Sequence, residues 1–332
     1  MAARKRVAHV LGASRGGLRR HVRYIAEHPP IGYETLGVWG PADLAEYFAG
    51  LPFHNARAGA MFWPESQADL VHAHGFGAGL VALRRKRPPV VITAHTDLTT
   101  QGRTARSRVL RALARLSARR ADRVIAVSRR AGSHFPGAVI VPPAVEPLGP
   151  ARRPRADVRA ELGTPADRVV VVTVARLHAD KGLDLFVEAV DRSGAEGWIC
   201  GDGPLRERIG RLADGTSVRL LGYRNDVADI LGAADMFALP SVGEAYGIAV
   251  VEAIAAGLPV VVSDAGAMPE IADRAGIVVN PGDRGAFERA VSSLVGNDRE
   301  RKALAVLARK RGGPDNEDLV RRVGLVYDEV TA

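Results

Sequence analysis

The sequence predicts an α/β fold made of two doubly wound, Rossmann-like domains. Short apolar runs alternate with longer helical stretches along the chain, which is the pattern of βαβ units and parallel sheets. One Pro- and Arg-rich stretch, 146–155, interrupts this alternation near the middle and indicates an interdomain linker. The chain has 332 residues, 47% of them hydrophobic, and is long enough to bury two separate cores.

The first domain is predicted over residues 1–148. It begins with a strand at 6–11, followed by a glycine loop at 12–17 and a helix at 18–27. Because apolar runs recur between turn residues, further elements are predicted in this half. Strands are expected at 33–38, 69–73, 90–94, 123–127 and 139–141, and helices at 77–85 and 104–118.

The second domain is predicted over residues 149–316 and repeats the same βαβ alternation. Its strands are expected at 169–174, 197–200, 218–221, 236–239, 259–262 and 276–279. The last segment, 317–330, has the apolar spacing of a helix.

Composition excludes several classes of protein. The net charge of +9, with a pI near 10.2, suits an anionic partner. Aromatic residues make up only 5% and no RNA-binding signature or zinc knuckle is present, so we expect no nucleic-acid partner. The single cysteine, Cys200, excludes a disulfide framework. The basic start leads into a strand and not a signal peptide, and no apolar run has membrane-spanning length, so we expect a cytoplasmic location.

Two glutamates, Glu244 and Glu252, mark the most informative stretch of the chain. An apolar strand at 236–239 precedes Glu244, which is therefore expected at the carboxyl end of a parallel strand, where ligands bind in open α/β sheets. Gly247 and Ile248 begin the helix that holds Glu252, and their free N–H groups can receive an anion. Two carboxylates beside an anion site suit a ligand with hydroxyl groups at both ends and phosphate between them, such as a nucleotide-sugar.

This stretch resembles the E-x7-E signature of retaining glycosyltransferase family 4. The runs Pro259-Val-Val-Val-Ser-Asp-Ala-Gly and Met268-Pro-Glu-Ile continue the family's order, and the resemblance is strongest from 170 to 281. It implies the GT-B fold, in which two Rossmann-like domains face each other across a cleft. It also implies a nucleotide-sugar donor, and a C-terminal helix, here 317–330, that crosses back onto the first domain.

Two cations, Arg176 and Lys181, follow a predicted strand of the second domain. They can hold a diphosphate, the arginine as a bidentate fork and the lysine as a point charge, or they can be solvated surface cations. By resemblance they bind the diphosphate and stabilise the leaving group. The D-x-D sequence that binds metal in the other major glycosyltransferase fold is absent. We therefore expect the two cations to replace a metal, and we predict no cofactor.

Gly203 belongs to a Gly201-Asp-Gly-Pro turn after another predicted strand. A dinucleotide-binding loop requires glycine where Arg206 stands, so the turn does not favour a dehydrogenase. The family has the same turn beside the nucleotide, although a structural turn explains these glycines equally well. Tyr223 and Arg224 match the loop that touches the base in the family, and they are assigned to the donor site by position alone.

The glycine pair that ends at Gly17 stands between the first predicted strand and a helix. Its backbone can approach a phosphate because no side chain intervenes. In the family this loop precedes the acceptor side, which here contains Arg19, Arg20 and His21. Because the helix is strongly basic, we expect the acceptor to be anionic or held at an anionic surface.

His95 follows a predicted strand and, by resemblance, contacts the donor sugar; a structural role at the strand end is the alternative. His72 and His74 are spaced i, i+2 on one face of another strand. This spacing suits a metal, but the sequence shows no third ligand. We therefore expect these two side chains to pack in the core, and we predict no metal site.

An arginine-rich segment, 103–123, carries large apolar side chains between its cations. It is either an interfacial helix that meets anionic lipid, or a helix packed on the sheet with a solvated basic face. We favour the packed helix and keep peripheral contact with an anionic membrane as the alternative. The apolar side chains are Val109, Leu110, Leu113 and Leu116.

Together these features predict a glycosyltransferase that moves a sugar from a nucleotide-diphosphate sugar to an acceptor hydroxyl. The predicted catalytic residues are His95, Arg176, Lys181 and Glu244. The resemblance implies front-face transfer, in which the leaving phosphate helps to deprotonate the incoming nucleophile. Two alternatives remain: a nucleotide-sugar epimerase of the same fold, and a non-catalytic nucleotide-sugar-binding protein.

Overall fold

The chain divides into two compact units. Unit 1 comprises Met1–Glu146 together with Asp315–Ala332, and unit 2 comprises Pro147–Pro314. The chain therefore passes through unit 2 once and returns to unit 1 for its last helix. The computed structural model describes residues 3–12, 17–56, 67–83, 88–95 and 105–332.

Within the described residues the strands form two sheets in which neighbouring strands run parallel. The sheet of unit 1 contains β1 (Lys5–Leu11), β2 (Tyr33–Gly40), β3 (Phe53–Asn55), β4 (Leu70–His74), β5 (Val90–Ala94), β6 (Arg123–Ala126) and β7 (Val139–Ile140). The sheet of unit 2 contains β8 (Val170–Val174), β9 (Glu196–Cys200), β10 (Val218–Gly222), β11 (Met236–Leu239), β12 (Val260–Ser263) and β13 (Gly276–Val279). Most strands lie where the apolar runs predict them. The sequence does not predict β3, because three residues are too short to show a periodicity.

Helices connect the strands in both units. Those of the first half are α1 (Gly17–Glu27), α2 (Phe76–Gly79), α3 (Ala105–Arg120) and α4 (Arg129–Gly132). Those of the second half are α5 (Arg155–Glu161), α6 (Leu183–Ser193), α7 (Arg206–Ala213), α8 (Val227–Ala233), α9 (Ile248–Ala255), α10 (Met268–Ala272), α11 (Arg284–Gly296), α12 (Asp298–Arg311) and α13 (Asn316–Thr331). Short 3-10 helices occur at Ala42–Leu44, Leu80–Leu83 and Ala179–Lys181.

Each sheet has one point where its strand order reverses. The order is β3-β2-β1-β4-β5-β6-β7 in unit 1 and β10-β9-β8-β11-β12-β13 in unit 2. The reversals lie between β1 and β4 and between β8 and β11. Ligands of open α/β sheets bind outside the carboxyl ends of the strands at such points. The loops after these four strands are therefore the first places to look for a site.

Helix α13 belongs to the hydrophobic core of unit 1. Its side chains Leu319, Val323 and Tyr327 are buried in one cluster with Val7 of β1 and Leu70 of β4. Burying a large apolar side chain contributes roughly 1.5–3 kcal/mol, so this face alone holds the helix firmly on the sheet. The last helix of the chain therefore completes the fold of unit 1.

The core of unit 2 surrounds a sheet with helices on both faces. Phe186 of α6 and Phe287 of α11 are fully buried against Val171 and Ile199 of the central strands. Strands covered on both faces are expected to be continuously apolar, which explains the valine-rich run of β8. Apolar packing therefore leaves the polar residues of unit 2 to the strand ends.

Helix α3 does not follow the favoured expectation that its large apolar side chains pack on the sheet. Its most buried residues are the small Ala114 and Ser117, with 1% and 0% of their surface exposed. Val109, Leu113 and Leu116 are 58%, 36% and 43% exposed. Small residues allow close packing of the helix, so its large apolar side chains face solvent. No helix in the described part of the chain has the length and apolarity required to cross a lipid bilayer.

Candidate active site

In unit 2 the two loops of the switch point meet at an ion pair. The loop after β8 ends at Lys181, and the loop after β11 carries Glu244. Lys181 Nζ donates a hydrogen bond to Glu244 Oε2 over 2.7 Å. Only 17% and 18% of the two side chains are exposed. The structure thus joins two residues that the sequence assigned separately, one to phosphate and one to sugar.

The backbone of Asp180 holds these two loops together. Its carbonyl oxygen accepts hydrogen bonds from Ser241 Oγ and from the N–H of Val242, each over 2.8 Å. Each bond joins the residue next to Lys181 with the loop that leads to Glu244. The separation of the ammonium and the carboxylate is therefore set by main-chain geometry and not only by two flexible side chains.

The electrostatic surroundings keep Lys181 charged. Burial lowers the pKa of an ammonium group, but the carboxylates of Glu244 and Asp180 outweigh burial and raise the pKa of Lys181 above its ordinary value. The nearer oxygen of Asp180 is 3.5 Å from Nζ. A ligand phosphate at this edge of the sheet meets a positive charge that is already oriented.

Arg176 lies on the same edge of the sheet but outside this network. It is exposed, and its side chain makes no hydrogen bond or ion pair with any residue that the structure describes. Only its carbonyl oxygen is engaged, by the N–H of His178 at 2.8 Å. The structure does not bring Arg176 into contact with Lys181 or Glu244, and its guanidinium is free to turn toward a ligand.

The predicted helix start at Gly247 and Ile248 is present. Gly247 caps α9 with a φ of +100°, and a Cβ there would lie 2.9 Å from Met268 Cγ. Glycine is required at this position because both the left-handed backbone and the close contact exclude a side chain. The first N–H groups of α9 have no partner within the helix. Glu252, the fifth residue of the helix, is 8% exposed.

The donor residues assigned by position lie after β9 and β10. A Cβ at Gly203 would stand 2.6 Å from the carbonyl oxygen of Leu177, so backbone packing alone explains this glycine. Tyr223 is 74% exposed. Arg224 forms a bidentate ion pair with Asp226 over 2.8 and 2.6 Å, and these bonds raise the pKa of the guanidinium. Arg224 is therefore engaged in its own loop, and among the described residues no hydrogen bond or ion pair joins it to Lys181 or Glu244.

In unit 1 the central strands and α1 bring together four buried histidines and a fifth, His95, that is partly buried. The register of β1 and β4 places His9 beside His72, and the ring centres of His72 and His74 are 4.0 Å apart. His21 of α1 and His95 after β5 have ring centres 4.8 Å apart. The sequence assigned His21, His95 and the pair of His72 and His74 to separate roles, and it gave His9 none. It did not connect them, because only strand pairing brings positions so distant in the chain together.

Hydrogen bonds hold part of this histidine cluster. His72 is bonded at both ring nitrogens, to Tyr327 OH over 2.7 Å and to Thr93 Oγ1 over 2.6 Å. His9 Nδ1 lies 3.2 Å from His74 Nε2. The expectation that no third metal ligand exists is wrong, since parallel pairing supplies more imidazoles within reach. Ring nitrogens lie within 4.8 Å of one another in two groups, His9 with His72 and His74, and His21 with His74 and His95.

Burial keeps the whole cluster uncharged at neutral pH. It lowers the pKa of His9 to about 4 and that of His95 to about 3. The remaining three imidazoles have pKa values well below 6.5 because of burial first and repulsion from neighbouring histidines second. These three are His21, His72 and His74. A neutral, desolvated patch of nitrogen atoms therefore lies at this edge of unit 1.

Of the three residues predicted to face the acceptor at the start of α1, only some have side chains exposed to solvent. Gly17 opens the helix, and residues 13–16 of the predicted glycine loop lie outside the described residues. The guanidinium of Arg19 lies over the ring of Tyr47 at 4.5 Å. Arg20 is exposed, whereas His21 turns inward to the histidine cluster.

Both halves of the chain match models of glycosyltransferase families. The model described as Glycosyltransferase Family 4 matches residues 9–145. The model described as Glycosyl transferases group 1 matches residues 168–297. The two matches cover the central strands of both units.

Curated relatives carry glycosyltransferase names. The lipopolysaccharide core biosynthesis glycosyltransferase LpsE of Rhizobium meliloti is 37% identical over 154 residues, which are 44% of this chain and 45% of the relative. The 2-deoxystreptamine N-acetyl-D-glucosaminyltransferase of Streptomyces fradiae is 29% identical over 292 residues, which are 76% of this chain and 69% of the relative. The chain thus spans less than half of one relative's length and about two thirds of the other's.

The fold is shared with solved structures. The crystal structure of HepE from Anabaena in complex with UDP superposes with a TM-score of 0.83 over 98% of this chain and 100% of that one, at 20% identity. An identity this low speaks for the fold alone. The predicted GT-B fold of two Rossmann-like units is confirmed by this likeness and by the two parallel sheets. With both halves matching glycosyltransferase models on this fold, the chain is a glycosyltransferase similar to those of family 4.

Proposed function

We propose that this glycosyltransferase transfers a sugar from a nucleoside diphosphate sugar to an acceptor hydroxyl with retention of configuration. The observation that carries the proposal is the pair formed by Lys181 and Glu244, 2.7 Å apart at the switch point of unit 2. An ammonium suits a phosphate and a carboxylate accepts hydrogen bonds from sugar hydroxyls, so one ligand can use both. HepE, which has the same fold, is described in complexes with UDP and with UDP-glucose.

The diphosphate charge is assigned to three features of unit 2. Lys181 supplies a fixed ammonium, the unpaired side chain of Arg176 a movable guanidinium, and Gly247 and Ile248 the N–H groups at the start of α9. Because these groups offset the negative charge, we propose that transfer needs no metal ion. Glu252, buried in the same helix, is assigned to the ribose.

The remaining residues assigned to the donor differ in how freely their side chains can reach a ligand. Tyr223 is exposed and presents a ring on which a base can stack, whereas Arg224 would have to leave Asp226 to reach a ligand. Gly203 is assigned to the nucleotide through its backbone. In unit 1, we assign His95 to the sugar, Gly17 to a phosphate through its backbone, and the basic residues of α1 to an anionic acceptor. These basic residues are Arg19 and Arg20.

The proposed chemistry is front-face displacement. The bond between the anomeric carbon and the phosphate oxygen breaks, and the acceptor oxygen bonds to the same face of that carbon. Lys181 and Arg176 stabilise the charge that develops on the leaving phosphate, and a phosphate oxygen takes the proton of the acceptor hydroxyl. The protein's part is positioning and electrostatic stabilisation.

A panel of UDP-, GDP- and ADP-sugars tests this function. One nucleotide class is expected to raise the melting temperature, because a ligand at one hundred times its Kd adds about 2.7 kcal/mol to the free energy of unfolding. The same donor is expected to release sugar slowly in water and to give a product of retained configuration by NMR, with EDTA present. Interconversion of the donor sugar would support an epimerase, and binding without turnover a non-catalytic protein. An inverted product, or activity lost on chelation and restored by Mn²⁺, would contradict retention or metal independence.

Unit 1 presents a surface suited to anionic lipid, and we place peripheral membrane contact there. Helix α3 carries exposed Val109, Leu113 and Leu116 beside exposed Arg108 and Arg115. Its sequence, ARSRVLRALARLSARR, contains no acidic residue. An apolar stripe flanked by arginines is the pattern of a helix that lies in the plane of an anionic bilayer. An acceptor held at such a surface would be presented to unit 1.

Cosedimentation with vesicles tests the membrane surface. Binding of the wild-type protein to anionic vesicles is expected to exceed binding to neutral ones and to fall as salt rises, since the Debye length is about 8 Å at physiological ionic strength. Replacing Leu113 and Leu116 together by serine is expected to weaken binding at least about tenfold, because two side chains no longer enter the bilayer. Leu307→Ser, at an exposed leucine of α12 (38%), serves as the control. Equal binding by both variants and the wild type would rule out this surface.

A further inference from the structure

Three buried ring nitrogens of the histidine cluster lack a hydrogen-bond partner among the described residues. They are His21 Nε2, His74 Nδ1 and His95 Nε2. A buried polar atom without a partner costs about 1–3 kcal/mol, so three in one place need an explanation. These three histidines also form one of the groups whose ring nitrogens lie within 4.8 Å of one another. The described part of the fold therefore does not account for the hydrogen-bonding capacity of these three nitrogens.

A backbone contact determines which atom of His21 carries its proton. The N–H of Ala144 donates to His21 Nδ1 over 3.0 Å. A backbone N–H can only donate, so Nδ1 must offer its lone pair. Because burial keeps the imidazole neutral, its single proton lies on Nε2. His21 therefore presents an N–H donor that has no acceptor.

This tautomer argues against a metal ion. A ligating histidine must offer a lone pair at the metal, and His21 Nε2 carries a proton instead. One ring nitrogen from each of the three histidines lies within 4.8 Å of the others, so one small polar group can contact all three side chains.

The charge of the histidine cluster indicates which chemical class of ligand it suits. All five imidazoles are neutral, so the cluster contributes no formal charge that would bind an anion. A hydroxyl group can accept a hydrogen bond from His21 Nε2–H and donate its own proton to a ring nitrogen that has a lone pair. His95 is only partly buried, so the cluster reaches the surface on that side.

We propose that His21 binds substrate by donating a hydrogen bond from Nε2 to a sugar hydroxyl, which also contacts His74 and His95. This proposal rests on the glycosyltransferase function proposed above. It gives His21 two separable roles: Nδ1 holds the backbone at Ala144, and Nε2–H recognises the ligand. Two amide substitutions can separate these roles, since asparagine imitates Nδ1 and glutamine imitates Nε2.

The experiment compares His21→Asn with His21→Gln in the full chain. His21→Asn keeps an acceptor for Ala144 and loses the donor, so its melting temperature is expected to stay near that of the wild type while kcat/KM falls about 10- to 100-fold. His21→Gln keeps a donor near Nε2 and loses the acceptor, so its melting temperature is expected to fall while kcat/KM falls less than it does in His21→Asn. If activity merely follows the melting temperature in both variants, His21 has only a structural role and the proposal is overturned.

Further readouts locate the hydroxyl and stand apart from transfer. A higher KM for the donor in His21→Asn places the hydroxyl on the donor sugar, and a higher KM for the acceptor alone places it on the acceptor. Imidazole ¹⁵N NMR of the wild-type protein reads the tautomer directly, whether or not transfer is observed. A proton found on Nδ1 of His21, or stoichiometric Zn²⁺ binding that His21→Asn abolishes, would refute the assignment. Absence of transfer by the wild-type protein with every donor refutes the proposed function instead.

Discussion

Replacing Lys181 by alanine is expected to lower kcat by about 10²- to 10³-fold and to leave the fold intact. Hydrogen bonding to Glu244 fixes the ammonium at the switch point of unit 2. Removing one oriented group from a developing negative charge costs roughly 2.7–4 kcal/mol. The change also leaves Glu244 without its 2.7 Å partner. A half-buried carboxylate facing a diphosphate repels it, so the KM for the donor is expected to rise as well.

Two further variants separate charge from geometry. Lys181→Arg keeps a cation next to Glu244 and is expected to retain more activity than Lys181→Ala. Arg176→Ala is expected to lower kcat by a similar order, because this guanidinium has no structural partner among the described residues to compensate. Arg211→Ala, at a 75% exposed arginine of α7, is the control for loss of a positive charge, and its kcat is expected to equal that of the wild type. Normal turnover by both Lys181→Ala and Arg176→Ala would remove unit 2 as the donor site.

The second large effect is acid instability of unit 1. The five clustered histidines have folded-state pKa values below 6.5, about 4 for His9 and about 3 for His95. Above pH 6.5 these imidazoles are unprotonated in both the folded and the unfolded state, so they do not lower the free energy of unfolding. Below pH 6.5 the histidines bind protons in the unfolded chain but not in the folded chain. The free energy of unfolding therefore falls until the pH drops below the pKa values of the folded state.

The size of this effect follows from the number of imidazoles. Each contributes up to about 1.4 kcal/mol per pH unit, so five contribute up to about 7 kcal/mol per unit. A free energy of unfolding of about 5–15 kcal/mol is exhausted within a few units. Urea unfolding at pH 7, 6 and 5 measures the slope in a window above the titration of carboxylates such as Glu161 and Asp226, whose pKa values are lowered by their arginine partners.

A single substitution checks the origin of the slope. His9→Asn keeps a polar group facing His74 and removes one titrating imidazole, so the slope is expected to fall by about 1.4 kcal/mol per pH unit. His54→Asn, at an exposed histidine outside the cluster, is the matched control. A stability that does not vary between pH 7 and 5 would show that these histidines accept protons in the folded state.

Local patterns were sufficient to predict the sheets and the donor-side loops. Strands buried on both faces need continuous apolar runs, so the runs at 169–174 and 259–262 predict strands there without any tertiary information. Gly247 was predicted at the turn where a helix begins, and its φ of +100° favours glycine at that position. Because residues at the carboxyl ends of parallel strands share one edge, the sequence could also place Arg176, Lys181 and Glu244 near one another.

The sequence by itself therefore determined the fold class, the family and the edge of the sheet at which polar residues gather, because each depends on spacing along the chain. The tertiary structure alone decided which side chains touch. Lys181 and Glu244 are 63 positions apart and pair because hydrogen bonds from Ser241 Oγ and the Val242 N–H to the Asp180 carbonyl oxygen join their loops. Arg224 is engaged by Asp226 although its position suggested a ligand. Contacts of this kind depend on strand register and on packing in three dimensions, which a pattern along the chain does not contain. The clustering of the five histidines, which come from separate parts of unit 1, depends on register and packing in the same way.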